Sequence, residues 1–180
     1  MFLRGLFKPR KVVTQATVVS LRDDSAYLTD FARLLSEYFN THKKTVTRFD
    51  VMHLMHLLDH VSWGDAFVAY VNGEAVGCVA FERMRVRDTR PYGNELSRLY
   101  VQPKYRNHNI AKQLMRRVAE TAVKQKVERI TIVISERDAR LFNWYSRMGF
   151  VSNAKAKEAG SEGVLYMDAP SEKLLENLQK

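Results

Sequence analysis

The sequence predicts an α/β protein built on a mixed sheet of about seven strands, with helices on both faces. Three stretches carry that prediction. Ile110, Ala111, Leu114, Met115, Val118, Ala119, Ala122 and Val123 draw a long apolar stripe along one face of a helix, from about 109 to 126. R-I-T-I-V-I-S, 129–135, is apolar on both faces, as a central strand covered by helices is, and should pair parallel with the strand at 95. Asn72-Gly73 stands between two apolar β runs, the strongest short signal for a hairpin with a type I′ turn.

Taken in order, T-Q-A-T-V-V-S-L (14–21) is β-branched and ends at the polar R-D-D-S, so it reads as an opening strand. Leu28, Phe31, Leu34, Leu35, Tyr38 and Phe39 share one helical face, closed by N-T-H-K-K. Val51, Leu54, Met55, Leu58 and Val61 repeat that spacing on a second helix, from about 50 to 62. The hairpin strands follow near 66–71 and 75–85, giving the sheet an antiparallel N-terminal part. After the polar loop R-D-T-R-P-Y-G-N comes the strand E-L-S-R-L-Y-V (95–101), ended by Gln102-Pro103. Strands four and five are therefore 95–101 and 129–135, flanking the long helix. A short helix spans about 139–148, and Gly149 is its natural left-handed stop. Strands near 150–157 and 163–168 and a terminal helix over S-E-K-L-L-E-N-L-Q-K complete the chain.

A chain of 180 residues with 46% apolar composition can bury one sizeable core. The expected organisation is a basic tail over 1–12 and a single domain over 13–180. The lone cysteine, Cys78, lies in the apolar run V-G-C-V-A-F, which excludes an internal disulfide framework and a Cys-rich zinc site. The tail M-F-L-R-G-L-F-K-P-R-K is broken by Arg4 and Lys8 before a signal-peptide core develops, and no segment approaches the roughly 18 apolar residues of a membrane span. A cytoplasmic protein is expected. The net charge of +9 calls for an anionic partner. From Glu82 to Lys112, eight basic residues face three acids, a local +5 compatible with nucleic acid, with a small polyanionic cofactor, or with plain solvated surface charge.

A strand that runs through a short polar loop into a helix offers unpaired N–H groups and the positive end of the helix dipole, which together bind phosphate. Tyr105 to Ala111, Y-R-N-H-N-I-A, lie at such a junction, with Arg106 as a fixed cation. These residues resemble the R/Q-x-x-G-x-G/A pyrophosphate loop of the GNAT superfamily of acyl-CoA-dependent N-acyltransferases. The preceding E-L-S-R-L-Y-V-x-P, the long helix, R-I-T-I-V-I and N-W-Y-S-R-M-G-F (143–150) are similar to that superfamily's fourth strand, third helix, fifth strand and Y-x-x-x-G-F segment. The sequence departs from the pattern at Asn109, where the loop has its first Gly. Asn tolerates left-handed backbone and also caps helices, so reshaped rather than lost binding is expected.

The resemblance implies the GNAT fold and acetyl-CoA as co-substrate, with no metal. It implies that the backbone of Leu99, Tyr100 and Val101 pairs with the pantetheine arm. Arg106, Asn107, His108, Asn109, Ile110, Ala111 and Lys112 would hold the pyrophosphate, and Asn143 would touch the arm. Acyl transfer needs a neutral amine, yet an alkyl amine of pKa about 10.4 is only about one part in 2,500 deprotonated at pH 7. Glu95 stands where the family often has a carboxylate base, with Glu82 in reserve; a surface Glu paired with Arg98 is the plain alternative. Tyr145 matches the tyrosine that supplies a proton to the departing thiolate, against the plain reading of a core tyrosine. The N–H near Leu99 would polarise the thioester carbonyl.

His53, His56 and His60 share one face of the second helix, but three histidines from one helix rarely converge on a tetrahedral metal, and flanking the core or the acceptor pocket is the better reading. Three functions stay open: transfer of an acetyl group to a primary amine of a small molecule, transfer to a protein lysine or N-terminus, and a non-catalytic module that binds acyl-CoA or contacts nucleic acid. No basic run interleaved with aromatics supports the last, so no nucleic acid is expected. A homodimer stays open.

Overall fold

A computed structural model describes residues 14–39, 51, 64–83, 94–153 and 163–180. In chain order these form β1 (Thr17–Ser20), α1 (Tyr27–Phe39), β2 (Asp65–Val71), β3 (Glu74–Arg83), β4 (Asn94–Val101), one 3-10 turn (Pro103–Tyr105), α2 (Ile110–Lys124), β5 (Arg129–Ser135), α3 (Ala139–Ser146), β6 (Val151–Ser152), β7 (Val164–Pro170) and α4 (Ser171–Gln179). The strands make one sheet in the order β1-β2-β3-β4-β5-β7-β6. Every neighbouring pair is antiparallel except β4 and β5, the parallel pair expected from the sequence. The expected helix over 50–62 and most of the loop before β4 lie outside the described residues, apart from Val51, which is helical and buried.

Alternation along the central strands divides the core in two, one half per face. On one face Phe67, Val79, Phe81, Leu96 and Ile132 lie under Leu114, Met115 and Val118 of α2. On the other, Ala66, Val68, Cys78 and Ala80 lie under Phe31, Leu34 and Leu35 of α1. The small residues on the α1 face let that helix come close, while the bulkier set receives the long stripe of α2. The helix α2 packs against β1 to β5 and against α4, so it spans the sheet from one half to the other.

Local chemistry sets the ends of these elements. The hairpin turns on Asn72 (φ 50°) and Gly73 (φ 81°), both left-handed as a type I′ turn requires. Asp138 caps α3 by accepting from the Leu141 amide at 2.9 Å, and Gly149, at φ 100°, carries the chain from the turn after α3 toward β6. The strand expected over 150–157 is described only as Val151–Ser152, with 154–162 outside the described residues.

Candidate active site

Two features of the sheet create an opening beside β4. Its pairing with β5 covers only Asn94↔Ile130 and Glu95↔Thr131, whereas β5 continues against β7 to Ser135. Beyond Glu95 the two parallel strands diverge, leaving the β5-facing edge of β4 without a strand partner from Leu96 to Val101 among the described residues. The carboxyl ends of diverging parallel strands are where open α/β sheets bind ligands, because backbone groups and helix N-termini converge there. On its other edge β4 remains held by β3, but with an irregularity: Cys78 faces Tyr100 and Ala80 faces Ser97, so Arg98 and Leu99 together oppose Val79. This is a β-bulge, and Arg98 sits in it at φ 54°, a backbone conformation costly for any residue with a Cβ. The Cys78 thiol reaches the Arg98 carbonyl at 3.7 Å, and the absence of a side chain at Gly77 lets the Tyr100 carbonyl come in close; an added Cβ there would stand 2.8 Å from that oxygen.

The bulge turns Arg98 back over the α1 face of the sheet. Its Nη1 donates to the Glu82 carboxylate and, at 2.9 Å, to Ser97 Oγ, while Ser97 Oγ itself donates to Glu82 at 2.6 Å. Both bonds fall on Oε1 of Glu82. Glu95, its direct partner across the β3–β4 ladder, makes no hydrogen bond among the described residues. It is half-buried, and burial pushes its carboxyl up to about 7, with the Glu82 charge adding to the rise and Arg98 opposing it. The sequence offered Arg98 as a partner for Glu95; the structure gives Arg98 to Glu82 instead, since the bulge swings the guanidinium toward β3.

At the far end of β4 the chain turns through Pro103–Tyr105 into α2. Asn107 (φ 67°) and Asn109 (φ 68°, ψ 6°) are both left-handed, so the loop takes the glycine-like conformation at the position where the motif has Gly. The Asn109 side chain makes no capping bond, and only its carbonyl is used, accepting from the Gln113 amide at 3.2 Å. Asn109 is therefore present for its backbone rather than as a cap. The amides of Asn107, His108, Asn109, Ile110, Ala111 and Lys112 have no acceptor among the described residues. This row of donors at the start of a 15-residue helix has the geometry to cradle an anion. Arg106, an exposed residue, stands beside it, tethered by its Nε to the Val101 carbonyl at 3.0 Å and lying 5.9 Å from the Tyr100 ring. The open edge of β4 and the cradle thus fit a ligand with an extended amide-bearing arm joined to a pyrophosphate.

Tyr145, on α3, is buried against Trp144 (centroids 4.8 Å apart) and Phe150 (5.5 Å). Its hydroxyl has no hydrogen-bond partner among the described residues. Burial raises its phenol above the ordinary value, and nearby Tyr38 adds to the rise. Tyr38 in turn packs against Tyr100 at 6.0 Å, so the end of α1, the end of β4 and α3 meet through three tyrosines. The Tyr100 hydroxyl donates to Glu37 on α1 at 3.3 Å, which turns this side chain away from the open edge.

The structure thus groups Leu99, Tyr100 and Val101 with the 106–112 loop, and places Glu95 at the root of the divergence. The Ile110 side chain is buried in the core, leaving its amide as the available group. Asn143 lies exposed on α3, with its carbonyl bound by Arg147. The bulge and the Glu82–Ser97–Arg98 network had no signal in the sequence, because Arg is not a residue that marks left-handed backbone. His53, His56 and His60 lie outside the described residues. Among the described residues no three His, Cys, Asp or Glu side chains gather as a metal site, and no helix is long and apolar enough to cross a membrane.

Residues 28–150 match the family model described as acetyltransferase (GNAT) family. No curated protein matches the sequence. Among solved structures, yncA of Salmonella typhimurium, determined with its cofactor acetyl-CoA, superposes with a TM-score of 0.69 at 17% identity, covering 87% of this chain and 94% of that one. A GNAT-family acetyltransferase of Staphylococcus aureus gives a TM-score of 0.64 at 18% identity over 87% and 99% of the two chains. An acetyltransferase of Streptococcus agalactiae gives 0.63 at 17% over 86% and 98%.

Proposed function

Because the chain belongs to the GNAT acetyltransferase family and is an acyl-CoA-dependent N-acyltransferase, we propose that it acetylates a primary amine of a small-molecule acceptor, by direct attack with both substrates bound. Acetyl-CoA, the co-substrate, supplies a thioester carbonyl carbon that the amine nitrogen attacks as the carbon–sulfur bond breaks.

Glu95 carries this reading. An alkyl ammonium must lose a proton before its nitrogen can attack, and a base is most effective when its own pKa lies near the working pH. A half-buried carboxylate with no donor among the described residues, held at about 7 beside the opening, is such a base. Glu95 takes the amine proton, directly or through a water. The Leu99 amide, in the bulge, donates to the thioester oxygen as negative charge grows on it. Tyr145, kept protonated by its burial, donates to the leaving sulfur and so assists formation of the thiol.

The amides of 107–112 and Arg106 hold the pyrophosphate, and the open edge of Leu99, Tyr100 and Val101 receives the pantetheine arm as an added strand would. Asn143, exposed on α3, touches the same arm. We read 13–180 as one domain, supported by a single sheet that takes strands from Thr17 to Pro170.

The test has two stages. Acetyl-CoA should raise the thermal unfolding midpoint, and a panel of small amines and lysine peptides should then reveal an acceptor through free thiol release. No stabilisation at millimolar acetyl-CoA overturns the proposal, and thiol release with peptides alone moves the acceptor from small molecule to protein.

A further inference from the structure

Residues 14–16 precede both β1 and the span matched by the family model, yet they are bound to the loop that opens α2. The Thr14 amide donates to the His108 carbonyl at 3.4 Å, and Thr14 Oγ1 hydrogen-bonds His108 Nδ1 at 3.2 Å. From the other side Gln113 Nε2 donates to the Thr14 carbonyl at 2.8 Å, and Gln113 Oε1 accepts from the Ala16 amide at 3.0 Å. The carboxamide of Gln113 thereby pairs with the segment as a neighbouring strand would, from a position in the first turn of α2.

The loop gains something it cannot provide for itself. Asn107 and Asn109 are both left-handed without being glycine, the side chain of Asn109 caps nothing, and the amides from Asn107 to Lys112 have no acceptor among the described residues. A row of free donors is a good anion site only if it is held in shape before the anion arrives, since ordering it on binding costs affinity. The His108 carbonyl, at the middle of the loop, is bonded to Thr14.

We propose that Thr14–Ala16 is a strap that preorganises the anion cradle, with Thr14 and Gln113 as positioning residues for the cofactor's pyrophosphate. The proposal rests on the reading that residues 106–112 take that group. Neither residue touches the reacting atoms, so the strap affects ligands that carry the pyrophosphate and spares those that lack it.

Binding titrations with acetyl-CoA and with acetyl-pantetheine, which has the same arm but no pyrophosphate, test this on the full chain. Gln113→Met keeps the shape and removes both bonds to the strap; Thr14→Val removes the side-chain bond to His108 and leaves the backbone one, while Thr14→Ser retains both. In Gln113→Met the dissociation constant for acetyl-CoA should rise about tenfold, the loss of two hydrogen bonds of ordinary net strength, while that for acetyl-pantetheine stays within about twofold. Thr14→Val should show a smaller rise of the same kind, and Thr14→Ser should restore wild-type affinity. Equal loss for both ligands would mean that the segment merely supports the fold and would overturn the proposal, as would variants that bind acetyl-CoA as wild type does. Wild-type protein with no preference for acetyl-CoA over acetyl-pantetheine would instead remove the pyrophosphate reading of the loop, and the strap with it.

Discussion

Glu82 and Glu95 face each other across the β3–β4 ladder, but among the described residues only Glu82 has donors. Two carboxylates on directly opposed positions cannot both be comfortably ionised. The two sides of the ladder differ: Ser97 and Arg98 hold Glu82, while burial first, and the Glu82 charge second, push the Glu95 carboxyl up to about 7. A pH dependence follows. Only deprotonated Glu95 can accept a proton, so kcat/KM should fall as pH drops below about 7, with one ionisation on the acid limb. A pH–rate profile that stays flat down to pH 5.5 would remove Glu95 as the base.

The neighbours of Glu95 should move that limb in opposite directions. Glu82→Gln removes the adjacent negative charge and should shift the limb downward, by roughly half a unit to one unit. Arg98→Gln removes the opposing positive charge and should shift it upward by a similar amount. Both are read from the same profiles, and a common limb in all three proteins would show that the network does not set the protonation of Glu95.

Glu95→Gln should cost at least about a hundredfold in kcat while leaving the dissociation constant of acetyl-CoA nearly unchanged. The same substitution should stabilise the protein at high pH. The folded carboxyl titrates above its ordinary value of 4.5, so its contribution to stability is complete below about 4.5 and lost as pH rises through about 7. At pH 8 the wild type carries a half-buried carboxylate that Gln does not, and Glu95→Gln should unfold with a free energy higher by on the order of 1–3 kcal/mol, the gap closing by pH 4. Denaturant titrations at the two pH values check the sign.

Tyr145→Phe should lower kcat about ten- to a hundredfold with little change in acetyl-CoA affinity. Since the hydroxyl has no partner among the described residues, its removal should leave stability within about 0.5 kcal/mol. A loss of stability without loss of turnover would return Tyr145 to the core as a packing residue.

Asn109 separates a backbone role from a capping role. Asn109→Gly loses no capping bond and eases the left-handed backbone, so acetyl-CoA affinity should hold or improve. Asn109→Ala forces a Cβ residue into φ 68° without the tolerance of Asn and should destabilise by about 1 kcal/mol and weaken binding. If Ala matched Gly in both measurements, the left-handed conformation would be irrelevant to the site.

Much of this architecture was legible because it is written in local periodicity. The stripe from Ile110 to Val123, the two-sided apolarity of Ile130 to Ile134 and Asn72-Gly73 each fix an element without reference to the rest of the chain, and the loop that opens α2 could be placed from its neighbours. Asn109 could be recognised as a substitute for Gly because few residues accept that conformation. The bulge could not be foreseen: Arg98 is held left-handed by the ladder to β3 and by its bond to Glu82, partners 16 residues away. The tie between Thr14 and His108, separated by 94 residues, left no local trace either. What the sequence hid was tertiary pairing of polar groups, where the site's protonation and its rigidity are decided.

The brief contact between β4 and β5 has a mechanical consequence. A seven-stranded sheet joined at its centre by two register pairs is two smaller sheets hinged along a seam, one made of β1 to β4 and the other of β5, β7 and β6. Few backbone bonds resist opening there, so the main crossbeam is α2, which packs on strands from both halves and on α4. The beam begins at the anion cradle. A cofactor seated with its phosphates on the N-terminus of α2 and its arm between the strands would brace the hinge from inside, and hydrogen exchange should slow on both sides of the seam together when it binds.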